Sequence, residues 1–120
     1  MRLPIQYALT YPKRIKSDFP RVDFFSLTSG LTFEKPDLNK FRNLALAYQA
    51  MDKGGNMPCI LNAANEVVVR AFLEDRCEFV EMSDIIETVM SKVPFMSAPT
   101  YEDYVQTDTL SRRMAEEMIR

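Results

Sequence analysis

The apolar positions change their period along the chain. From residue 37 onward they recur at helical spacing. Leu38, Phe41, Leu44, Ala45, Tyr48 and Met51 share one face of a predicted helix that starts behind Pro36. Asp37 is placed to cap its first turn, and Lys53-Gly54-Gly55 closes it with a cation and a left-handed glycine. A second helix is expected after Asn56, a candidate cap, with Pro58 in the first turn where its missing amide hydrogen is not needed. Ile60, Ala63, Ala64, Val67, Val68, Ala71 and Phe72 give it the broadest apolar face in the chain, and it should end near Glu74-Asp75-Arg76. A third helix is predicted after Ser83, carried by Ile85, Ile86, Val89, Met90 and Val93 and stopped by Pro94. Thr100 with Asp103 three residues later resembles a capping box, so a short helix should start there. A break is expected near Thr107, followed by a last helix on Leu110, Met114 and Met118.

Residues 1–36 read differently. They hold Pro4, Pro12, Pro20 and Pro36, each of which removes a backbone donor and turns the preceding residue away from helix. A short helix is predicted from Ile5 to about Thr10. The aromatic and branched runs Val22–Leu27 and Leu31–Phe33 suit short strands, with Ser29-Gly30 as the turn between them. The expected fold is therefore mainly α. A small helical bundle over 37–120 is preceded by an extended linker arm over 1–36, with a short helix and one or two short β-strands. Short strands are not stable alone in water, so the arm needs something to lie against.

Composition narrows the function classes. With 120 residues the chain has room for one modest core. Its net charge of −2 gives no basic stripe for nucleic acid, and its one dense basic run is Lys13, Arg14 and Lys16. No apolar run approaches a bilayer span, and the N-terminus lacks the form of a signal peptide, so a cytoplasmic location is expected. Cys59 and Cys77 read as free, mostly buried thiols. There is no histidine, which removes the commonest general base and zinc ligand. Three glycines cannot build a nucleotide-cradling loop.

Few residues remain as candidates for chemistry. Asn62, Asn65 and Glu66 place two amides and a carboxylate in an otherwise apolar helix. They either reach a ligand or another domain, or find bonding partners within the bundle. Their spacing fits no metal template. Glu102 and Asp103 point about 100° apart on a helix and serve its dipole rather than one substrate. Most of the eight methionines occupy apolar helical positions and read as core filler. On the residues alone, a binding or structural role outranks catalysis, and a freestanding helical interaction module is one such reading.

Three stretches, in order, resemble one family. Met1-Arg2-Leu3-Pro4-Ile5 and Tyr11-Pro12-Lys13-Arg14 resemble its "M-R-x-P-I" and "(Y/W)-P-x-R" segments. Asp23-Phe24 and Leu31-Thr32-Phe33-Glu34-Lys35-Pro36-Asp37 resemble "L-x-F" and "L-T-F-x-x-P-D". Leu61-Asn62-Ala63-Ala64-Asn65-Glu66 resembles "L-N-A-A-N-E". The family is that of the 1-deoxy-D-xylulose 5-phosphate reductoisomerases. The resemblance implies a parent enzyme that rearranges and reduces its sugar phosphate with NADPH and Mg²⁺ or Mn²⁺, in non-mevalonate isoprenoid biosynthesis. It also implies a homodimer with an upstream Rossmann domain and a central catalytic domain. The family's cofactor loop, metal ligands and phosphate-site residues lie upstream of the segments matched here. The expectation is a C-terminal portion that binds no cofactor and is inactive alone. Met1 matches a methionine that lines the substrate pocket in the family, and it is the one site residue the resemblance offers.

Overall fold

The computed structural model describes residues 2–21, 23–25 and 32–119. The chain divides into two compact units, Met1–Glu34 and Lys35–Arg120. Five helices form among the described residues: α1 (Arg2–Thr10), α2 (Arg42–Lys53), α3 (Met57–Leu73), α4 (Glu81–Lys92) and α5 (Tyr101–Met118).

The first unit holds α1 and the segment that follows it. The Tyr11-Pro12 peptide bond is cis. Arg14 stacks over the Tyr7 ring, 4.4 Å from its centroid, and Tyr7 meets Tyr11 edge to face at 5.8 Å. The strands expected at Val22–Leu27 and Leu31–Phe33 fall partly outside the described residues, and the Ser29-Gly30 turn lies wholly outside them. Their described parts are not strand. Phe24 and Phe25 form a turn in which Asp23 Oδ1 accepts the Phe25 amide at 2.9 Å. Aromatic propensity suits a strand only where a neighbouring edge completes the ladder.

In the second unit α3 is central and packs against α2, α4 and α5, most extensively against α5. Met57, Ile60, Val68, Ile86 and Val89 lie at the centre of the core, with essentially no exposed surface. Ala63, Ala64, Ala71, Ala115 and Ser111 are also fully buried, and their small side chains let helices approach closely.

Helix starts depart from the pattern in four places, the first being α1, which begins at Arg2 rather than Ile5. Asp37 does cap, but it caps a separate turn. Its Oδ1 accepts the amides of Asn39 and Lys40, each at 3.0 Å, and α2 begins only after Phe41. α4 begins at Glu81 rather than after Ser83. Glu81 Oε2 reaches back to the Glu78 amide at 2.9 Å, while the buried Ser83 hydroxyl donates to the Val80 carbonyl. The break expected at Thr107 does not occur, and α5 runs on through it. Thr107 points inward, only 3% exposed, and its hydroxyl accepts from Asn56 Nδ2 at 3.2 Å. The capping box at Thr100 and Asp103 forms as expected.

α3 ends in a Schellman arrangement. The Arg76 amide donates to the Ala71 carbonyl at 2.8 Å, and Asp75 takes a left-handed φ of 56°.

Asn56 joins the elements. Its Nδ2 donates to the Pro94 carbonyl at 3.0 Å and to Thr107, and its Oδ1 accepts the Met96 amide at 2.9 Å. Its backbone amide donates to the Met96 carbonyl at 3.0 Å. It thus sits at the N-cap position without using its side chain as a cap. Gly55, at φ 55°, lets the two backbones touch, since a Cβ there would lie 2.1 Å from the Met96 carbonyl oxygen. Asn56→Ala removes three side-chain hydrogen bonds, one buried and two part-buried, and should cost about 2–4 kcal/mol in urea unfolding. Gly55→Ala should be more damaging than Gly54→Ala, because a Cβ at Gly54 meets nothing within 4 Å. The Gly54 change should cost only the strain of its φ 65°, ψ −149° backbone, about 1–3 kcal/mol in the same melts.

Candidate functional site

The polar residues of α3 lie on its outer face. Asn62 and Glu66 are exposed one turn apart, and Asn62 Nδ2 donates to Glu66 Oε1 at 3.1 Å. Arg112 of α5 donates to Glu66 Oε2 at 2.7 Å and, through Nε, to Asp108 Oδ2 at 2.8 Å. One guanidinium therefore holds Glu66 across the α3–α5 seam and Asp108 one turn back on its own helix. The Arg112 hydrogen bond is the main cause, and the Asn62 bond the second, of a Glu66 carboxyl held below its ordinary 4.5. Asp108, then Glu66, raise the Arg112 guanidinium further above its usual range. Asn65, half-buried, takes no part in this network. The cluster is self-satisfied: each charge already has its partner, so it pins two helices rather than awaiting a ligand. The sequence left Glu66 open between a ligand, another domain and a partner within the bundle, and the last is what the structure shows. Arg112 as its partner was not, because the contact spans 46 positions.

Elsewhere the arrangement offers little chemistry. Among the described residues no group of three His, Cys, Asp or Glu side chains could hold a metal ion. Burial, then the nearby Asp108 charge, push the half-buried Cys59 thiol up, and its Sγ lies 3.7 Å from the Tyr104 carbonyl oxygen. Burial likewise raises the Cys77 thiol, so neither is an activated thiolate. Asp103 is committed to its capping box. The Thr100 backbone amide first, and its hydroxyl second, hold that carboxyl below its ordinary 3.8. In the first unit a hollow of about 70 Å³ is lined by Leu3, Gln6, Tyr7, Thr10, Arg14 and Ile15. That volume suits water rather than a sugar phosphate. Met1 lies outside the described residues. No helix among the described residues is long and apolar enough to cross a membrane.

A helical bundle with satisfied surface ion pairs, preceded by a second small unit, has the character of an auxiliary domain. Comparison with known proteins makes that specific. The family described as "DXP reductoisomerase C-terminal domain" matches residues 1–114, and the chain belongs to it. The 1-deoxy-D-xylulose 5-phosphate reductoisomerase of Bacteroides fragilis is 62% identical over 119 residues, 99% of this chain and 30% of the relative. That of Porphyromonas gingivalis is 47% identical over the same share of each. The chain thus spans about a third of the length of the curated relatives it matches. Among solved structures, the Zymomonas mobilis reductoisomerase in complex with NADPH aligns at a TM-score of 0.82 and 33% identity, over 98% of this chain and 31% of that one. A DOX-P reductoisomerase in complex with magnesium aligns at 0.78 and 32% identity, over 95% and 30%.

Two outcomes follow from the charges. Carboxyls held low in the folded state add stability that is present above their unfolded values and lost as pH falls through the folded ones. Acid unfolding followed by circular dichroism should therefore show stability declining as pH falls through the ordinary 4.5 and 3.8 of these carboxyls and on below them. Thr100→Ala should remove about 1 kcal/mol of cap stability at neutral pH and make that decline only slightly shallower, since the backbone amide that chiefly holds Asp103 remains. In Arg112→Met, carbon-detected NMR should find the Glu66 titration returned toward 4.5.

Proposed function

We propose that these residues are the C-terminal domain of an NADPH- and divalent-metal-dependent 1-deoxy-D-xylulose 5-phosphate reductoisomerase. The parent enzyme isomerises and reduces its substrate to 2-C-methyl-D-erythritol 4-phosphate, in non-mevalonate isoprenoid biosynthesis. The observation that carries this reading is 62% identity to such an enzyme over nearly the whole chain. NADPH and Mg²⁺ are named for solved relatives of the same fold; Mn²⁺ is an equal candidate on ligand chemistry. The residues described here do not fit either group. They hold no carboxylate cluster, and the Gly54-Gly55 pair is spent on the turn against Met96. No chemical step is therefore assigned to them. The domain's role is support, with the chemistry in upstream NADPH-binding and catalytic domains of a cytoplasmic enzyme.

Two finer assignments belong to this reading. Met1 forms part of the substrate-pocket wall of the complete enzyme. The arm contributes to assembly, including a homodimer of the parent, and Phe24, Phe25 and Phe33 are 72%, 101% and 91% exposed, as expected of a segment lacking its partner.

The 120-residue chain, mixed with NADPH, the sugar phosphate and Mg²⁺ or Mn²⁺, should oxidise no NADPH at 340 nm. Measurable turnover would overturn the supporting role. Light scattering after size exclusion should show mass rising with concentration as arms associate. A concentration-independent monomer whose arm amides resist hydrogen exchange would remove the arm from assembly.

A further inference from the structure

We draw no further inference here: the strongest candidate, the groove of about 470 Å³ at the α3–α4 turn where the edge-to-face pair of Phe72 and Phe79 stands beside Asp75, Glu78 and Glu81, is an acidic cluster on an exposed apolar face, and nothing in the structure shows what covers it.

Discussion

The hydrogen bonds of one buried amide decide how the bundle is assembled. Asn56 stands where α2 has just ended and α3 begins, and its side chain reaches both the 94–96 loop and the middle of α5. Apolar contacts among Ile60, Val68, Ile86 and Val89 drive collapse, but they are tolerant of small slides and rotations. A fully satisfied polar node is not, because a shift of an ångström leaves buried donors unpaired. Tyr104 extends the lock by donating to the Gly55 carbonyl at 3.3 Å. The left-handed Gly54-Gly55 turn brings Asn56 to the loop, and the uninterrupted course of α5 brings Thr107 to Asn56.

Much of the helical architecture was legible in the sequence because periodicity and caps act locally. The Pro58 start, the Pro94 stop and the Thr100–Asp103 box depend on residues within one turn of each other, and the structure places them as the pattern predicts. The misread points all involve a side chain whose partner is distant or whose local bond is ambiguous. Thr107-Asp108 looks like a helix start until Asn56, 51 positions away, accounts for the threonine. Asp37 is a good cap residue that closes a turn instead of a helix. The apolar period of α2 was read on Leu38, Phe41, Leu44, Ala45, Tyr48 and Met51, but the bundle buries Leu46 and Ala50 instead, because the sequence of one domain does not say which of two apolar faces its own core takes. The strand propensity of the arm was an incomplete signal, since a strand is a property of a pair.

The candidate site was legible mainly through what the chain lacks. Histidine, a glycine-rich loop and a convergent carboxylate set are absent from the sequence itself, and the surface charges that remain pair with each other. Arg42 holds Asp84 and Glu87 across α2 and α4. Arg76 holds Glu74 and Glu116, which ties the end of α3 to α5. Each bridge is half-exposed and individually weak. Their shared geometry, one guanidinium on two carboxylates, occurs three times, once at the α2–α4 seam and twice along the α3–α5 seam, so the helices are tied from outside while Asn56 holds them from within.

The two-faced character of α2 also bears on which substitutions this helix can absorb. An ordinary surface helix offers a broad solvent side on which residues may be exchanged freely. Here Leu46 and Ala50 are held by the bundle, Arg42 is held by α4, and Phe41, Leu44, Tyr48 and Met51 form an exposed stripe. Within the bundle itself only Leu46, Ala50 and Arg42 are held, so the constraint on α2 is confined to one side and most of its twelve residues face water.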